Sequence, residues 1–242
     1  MAVDYSSVIP GYNSTADGSS QEDSTNGTER VVGGTGVQPG AWPGIASIQV
    51  TLNNGTWHVC AGSLIHPRWV LTAAHFLSTG RDVINWDVVI GATNLAHLGP
   101  ETRVRKIQRV LVHPHYVAAT KSNNIALVEL DQPVECSEYI QLGCVPDTSL
   151  RVMELRHCYI AGWGVTSARA HGPGLVLQEA KVRLIDVQLC NSSRRYAGAV
   201  NPHSLCAEYP RGGANTCQAD SGGPLTCKDN SGDYFWLVGV TS

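Results

Sequence analysis

The strongest constraint in this sequence is its rhythm of short β-type runs, each closed off by turn residues. Such runs occupy residues 45–52, 63–72, 88–90, 104–112, 125–130, 158–161, 176–184 and 235–240. Within the seventh, Gln178-Glu179-Ala180-Lys181-Val182-Arg183-Leu184 alternates polar and apolar positions as a half-buried strand does. Only residues 186–196 read as helical. With 25 Gly and 12 Pro among 242 residues, turns are dense enough to exclude a helical bundle and to favour barrels or a sandwich. A chain of this length buries one large core or two small ones.

The net charge of −3 gives no field that would gather nucleic acid. No stretch reaches 18 apolar residues, so no membrane-spanning helix is predicted. Eight cysteines and sequons at Asn13, Asn26, Asn54 and Asn191 point to export and glycosylation. Residues 1–10 nevertheless hold no apolar run fit for a signal peptide, so the expectation is that export information lies upstream. Residues 4–30 are rich in Ser, Thr, Gly and Asn. Residues 1–30 are therefore expected to be a disordered leader, with order beginning at Val31.

Three segments carry chemistry when taken together: Leu71-Thr72-Ala73-Ala74-His75, Asn123-Asn124-Ile125-Ala126-Leu127, and Cys217-Gln218-Ala219-Asp220-Ser221-Gly222-Gly223-Pro224. Each alone has a plain structural reading; a turn containing Asp-Ser-Gly-Gly is common. In this order they place a histidine, an acid position and a serine as in a nucleophilic triad. Arg30-Val31-Val32-Gly33-Gly34, Ala161-Gly162-Trp163-Gly164 and Gly239-Val240-Thr241-Ser242 add to the pattern. On these residues the chain resembles the trypsin/chymotrypsin-like serine proteases from residue 30 to 242. Gly40-Ala41-Trp42-Pro43, the Cys136/Cys144 pair and Tyr234-Phe235-Trp236-Leu237-Val238 are most similar to the acrosin branch.

The resemblance implies an all-β fold of two antiparallel six-stranded Greek-key barrels with the active site between them. It implies His75 as the base that activates Ser221, and N–H groups of Ala219 and Ser221 as the oxyanion hole. Cleavage after Arg30 would free the Val31 amine to pair with Asp220. Asn215 and Ser242 match substrate-pocket positions. Cys158–Cys227 and Cys190–Cys206 are the implied disulfides. Phe76 stands where the family has the cysteine that bridges to Cys60. Cys136 and Cys144 are implied to bond each other or cysteines upstream, and the partner of Cys217 to lie beyond Ser242.

The departures are as informative. Asn124 replaces the family's aspartate. An amide that donates to the inner nitrogen of His75 would place the ring proton on the nitrogen facing Ser221, and the base would be blocked. Glu129 and Asp131 stand at odd offsets along the same strand and should face away. Ala219 replaces glycine; it is either strained there or accommodated by a small shift. Asn215 replaces the aspartate that would pair with a substrate Arg or Lys. The family's sequence continues past Ser242 with a further strand, so the second barrel is expected to be truncated, with an exposed edge.

The expectation is an acrosin-like serine endopeptidase zymogen, strongly impaired as written. The alternatives are an inactive homologue that binds protein or glycoprotein, or a non-functional gene fragment. No cofactor is implied, and the histidines show no metal-ligand spacing. The expected partners are a protein substrate or glycoprotein and a proteinase inhibitor, without nucleic acid. The expected location is the secretory pathway, extracellular or acrosomal.

Overall fold

The structure, a computed structural model, describes residues 7–10, 35–53, 55–77, 83, 85–164, 175–192, 200–201, 203–209 and 221–242. In chain order the strands are β1 (Ser7–Pro10), β2 (Thr35–Gly36), β3 (Ile45–Leu52), β4 (Gly55–His66) and β5 (Trp69–Thr72). They continue with β6 (Trp86–Ile90), β7 (Arg103–Val112), β8 (Ala126–Leu130), β9 (Cys158–Gly162) and β10 (Gln178–Ile185). After the short helix α1 (Val187–Ser192) come β11 (Leu205–Glu208), β12 (Pro224–Lys228) and β13 (Phe235–Thr241).

Strands β3 to β8 close into a barrel in the ring order β3-β4-β5-β8-β7-β6, every pairing antiparallel. The step from β5 to β6 jumps across the ring, which makes the connection a Greek key. Its filling is aliphatic: Ile48, Leu64, Val70, Val88, Ile90, Val128 and Leu130 have no exposed surface. Full burial of such side chains contributes about 1.5–3 kcal/mol each before ordering costs. The pattern in β8 shows why the sequence chooses a strand. Ala126, Val128 and Leu130 point inward while Leu127 and Glu129 do not.

The second sheet runs β11-β1-β13-β12-β9-β10-β2, with a further pairing of β10 to β11. That pairing joins β11, β1, β13, β12, β9 and β10 into a second ring. Leu155, Cys158, Ile160, Ala180, Val182, Leu225 and Val238 fill it. The predicted alternation in β10 is realised: Ala180 and Val182 are buried, Lys181 and Arg183 exposed. A third cluster of Ile45, Ala61, Ala161, Trp163 and Leu177 draws on strands of both rings and welds them together.

The structure corrects the sequence reading in several places. Residues 63–72 are not one strand; Pro67 breaks the run, and the Arg68 N–H donates to His66 Nδ1 at 3.2 Å across the turn. Strands β1, β2, β11 and β12 lie outside the predicted runs. Ser7–Pro10 form β1, which pairs with both β11 and β13. The expected exposed edge of the second barrel is therefore occupied, and these two pairings are parallel where an all-antiparallel barrel was expected. The helix forms within 186–196 as α1, with the Asp186 carboxylate accepting the Gln188 and Leu189 N–H groups at its start. Residues 193–199 lie outside the described ones.

One glycine ties the rings at the point that matters for chemistry. Gly222 has φ of +87°, and a Cβ there would lie 2.2 Å from the Ala61 carbonyl oxygen and 2.3 Å from Thr72 Oγ1. Those two atoms already share a hydrogen bond of 2.7 Å, so neither is free to retreat. Gly222→Ala is expected to lower unfolding free energy by at least about 2 kcal/mol, read as a fall in denaturant midpoint. An unchanged midpoint would contradict this account of the junction.

Candidate active site

An apolar cluster of Leu71, Ala73, Leu237 and Val240, flanked by Ile65, Ile125 and Leu127, draws three chain segments to one place. Leu71 and Ala73 lead into the 3-10 turn Ala74–Phe76, which carries His75. Ile125 directly follows Asn124. Val240 lies two residues before Ser242, at the end of β13. The side chains of His75, Asn124 and Ser242 meet there.

Asn124 is 3% exposed and its amide is fully engaged. Its Oδ1 accepts the His75 backbone N–H at 2.9 Å. Its Nδ2 donates to Ser242 Oγ at 2.8 Å and lies 2.9 Å from His75 Nδ1. The same ring nitrogen is 3.3 Å from Oδ1. A backbone N–H can only donate, so it fixes which end of the amide is oxygen. Turning the amide over would set two donors against each other and leave a buried N–H unmatched, at a cost of about 1–3 kcal/mol. The nearer group facing His75 Nδ1 is thus a donor, and a ring nitrogen that accepts leaves its proton on Nε2.

Burial holds the His75 imidazolium below the ordinary histidine range, the Lys121 ammonium adds to the effect, and the Asn124 Oδ1, an acceptor for a protonated Nδ1, opposes both. Lys121 and Asn123 have φ of +51° and +52°, a left-handed pair that folds the segment before β8 tightly. That turn is pinned by Asn123 Nδ2 donating to the His115 carbonyl at 2.7 Å. Asn201 Nδ2, from the segment before β11, donates to Ser122 Oγ at 2.5 Å.

Ser221 is placed by its backbone. Its carbonyl accepts the Ala61 N–H from β4 at 3.1 Å, and the next N–H, of Gly222, donates to the Thr241 carbonyl in β13 at 2.7 Å. Among the described residues the side-chain hydrogen bonds of His75 run to Asn124, and none joins it to Ser221. Among the described residues no neighbouring carboxylate takes the place of the acid. Glu129 faces outward to Arg109 at 2.5 Å, and Asp131 Oδ1 accepts the Lys106 N–H at 3.0 Å.

Cys158 is bridged to Cys227 and Cys190 to Cys206. Cys136 and Cys144 are exposed thiols with no bond between them. Cys60 is buried beside Thr72, whose Oγ1 lies 3.9 Å from the sulfur. Ser242, expected in the substrate pocket, turns its Oγ onto Asn124. Asn191 sits in α1, its Oδ1 accepting the Val200 N–H at 3.0 Å. Arg30, Val31, Asn215, Cys217, Ala219 and Asp220, and the sequons at Asn13, Asn26 and Asn54, lie outside the described residues. Among the described residues no cluster of His, Cys, Asp or Glu has the makings of a metal site.

Sequence reasoning missed two neighbours of His75 and one of Asn124. Lys121 acts through space and leaves no motif. Phe76 packs its ring on the imidazole with centroids 4.1 Å apart, and its only sequence signal is that it displaces a cysteine. Ser242 Oγ as the acceptor of the Asn124 amide follows only from three-dimensional closure of β13. A separate cavity of about 470 Å³, lined among others by Trp42, Ser63, Cys144, Tyr159 and Phe235, holds none of the triad positions.

Residues 31–242 match the Trypsin family along their whole length. The chain is 38% identical over 215 residues to human transmembrane protease serine 5, an alignment that takes in 88% of this chain and 46% of that protein. It thus spans a little under half the length of that curated relative. Among the described residues no helix is long and apolar enough to cross a membrane. With the closed β-barrel, the joined second sheet and the family match in agreement, this chain belongs to the trypsin family of serine proteases.

Proposed function

We propose that this chain is a serine-type endopeptidase zymogen by architecture whose turnover is strongly reduced by Asn124. The observation that carries the reading is the amide of Asn124, locked by the His75 backbone N–H so that Nδ2 faces His75 Nδ1. His75 accepts that hydrogen bond through Nδ1 and holds its proton on Nε2. An Nε2 that already bears hydrogen has no lone pair in the ring plane to take the proton of Ser221, so attack on a peptide carbonyl starts from a neutral hydroxyl. The same aspartate-to-asparagine change in trypsin-type enzymes lowers turnover about 10⁴-fold, equivalent to about 5.5 kcal/mol.

The family acts on protein substrates. In this reading scission after Arg30 frees Val31 to pair with Asp220, and the backbone N–H groups of Ala219 and Ser221 receive the oxyanion. Asn215 supplies no charge for a substrate Arg or Lys, so a preference for basic residues is weak. The acrosin likeness, a glycoprotein substrate, a proteinase inhibitor as partner and residence in the secretory pathway belong to the same proposal. They rest on the motifs, sequons and cysteines of the sequence. A second reading, an inactive homologue that binds protein through the same cleft, is favoured by Asn124, Ala219 and Asn215 departing together.

A fluorophosphonate probe reports the nucleophilicity of Ser221 directly. After scission at Arg30, the unchanged chain should label about 10⁴-fold more slowly than Asn124→Asp. Equal, rapid labelling of both would refute the impairment. Slow labelling of both would favour the binding-module reading and assign the block to Ala219 or Asn215 as well.

The environment of His75 gives a second check. Lys121→Ala removes the cation that disfavours the imidazolium and should raise the His75 midpoint in an NMR titration. The sign also fixes the stability effect. The folded value lies below the ordinary 6.5, so protonating His75 works against folding, and stability is lost as pH falls below about 6.5. Lys121→Ala should lessen that loss; a midpoint that stays put or falls would contradict the assignment.

A further inference from the structure

The second ring contains one strand from far outside it in sequence. β1 lies between β11 and β13 and is parallel to both. Val8, Ile9 and Pro10 stand opposite Leu205, Cys206 and Ala207, while Ser7 and Val8 stand opposite Val240 and Thr241. Every other pairing in the sheet is antiparallel. Among the described residues β1 is the one strand set between β11 and β13, so without it the ring is open at that point.

The strands it joins are not at the surface. Cys206, Ala207, Val240 and Thr241 are each at most 3% exposed. Main-chain N–H and C=O groups at such positions need partners, and β1 pairs with the sides of β11 and β13 that β10 and β12 leave open. Ser-Val-Ile suits the task, since β-branched residues favour extended backbone. Pro10 stands at the strand's end, where its missing N–H costs least. The segment escaped sequence reasoning because four residues are submerged in the polar composition of 4–30.

We propose that residues 7–10 are a built-in strand donor that completes the second barrel, so the leader is held to the protease domain by main-chain pairing. The position matters for the site. Val8 pairs with Thr241, the neighbour of Ser242, and Ser242 Oγ receives the Asn124 amide. β1 thus braces the end of β13 that holds Asn124 against His75. The proposal extends to the cleaved molecule, where it rests on the activation reading given above. Arg30 lies twenty positions beyond Pro10, a contour of about 70 Å when extended, so scission at Arg30 need not disturb β1. Residues 1–30 contain no cysteine. Main-chain pairing through β1 would hold residues 1–30 after scission without a disulfide from within them.

Two measurements on the full chain test this. In the intact protein, amide exchange at Val8 and Ile9 should be slowed at least about 100-fold relative to an unstructured peptide, and Ile9→Pro should abolish that protection. Exchange at unstructured rates in the unchanged chain would overturn the proposal, whatever the variant does. After scission at Arg30, native mass spectrometry should show residues 1–30 bound to 31–242 and released only by denaturant. A free leader peptide under native conditions would overturn retention. A chain that resists scission while Val8 and Ile9 remain protected would overturn the activation reading and support the strand donor.

Discussion

The site exists because two barrels are pressed together over a small apolar cluster. Leu71 and Ala73 from one ring and Leu237 and Val240 from the other exclude water at the point where β5, the approach to β8 and the end of β13 converge. Each of these residues lies within four positions of a side chain or backbone group in the site. The same contact leaves no room for a side chain at Gly222, so the backbone that follows Ser221 is fixed against Ala61 and Thr72. Disrupting the cluster would separate His75, Asn124 and Ser242 without touching any of them. Sub-ångström placement of hydrogen-bonding groups depends on this kind of close-packed support.

On that support the chemistry turns on one heavy atom. An aspartate at position 124 would accept from His75 Nδ1 and from Ser242 at once. The asparagine keeps the size and the hydrogen bond from the His75 backbone N–H, and it presents a donor where the second carboxylate oxygen would stand. Geometry is preserved while the direction of a hydrogen bond is reversed. Loss of the carboxylate also removes the charge that would favour a protonated imidazole. Burial and Lys121 then act against the imidazolium, opposed by a neutral amide oxygen 3.3 Å from Nδ1. In the proposed reading proton position and imidazolium stability both change, and both changes work against general-base catalysis.

Much of this was legible in the sequence for physical reasons. Strands with a clean polar–apolar alternation, such as β10, and runs of β-branched residues, such as β3 and β7, announce themselves because one face must be buried. The proposed triad positions stand out because short motifs around His75, Asn124 and Ser221 mark them without reference to the fold. β12 was hidden by its proline start and brevity, and β11 by having only four residues. β1 was hidden most deeply, because its partners lie about 200 residues away and its own composition is diluted by the leader. Pairing of that kind is a tertiary choice, and no local propensity encodes it. The contacts of Lys121, Phe76 and Ser242 with the site share this character: each depends on where closure of a barrel brings a side chain.

The most direct test of the account is the tautomer of His75. In the folded, unchanged chain above the midpoint of His75, ¹⁵N shifts and one-bond couplings of the imidazole should place the proton on Nε2, with Nδ1 unprotonated. A proton found on Nδ1, with Nε2 open toward Ser221, would mean that the Asn124 amide is turned over and that the base is not blocked.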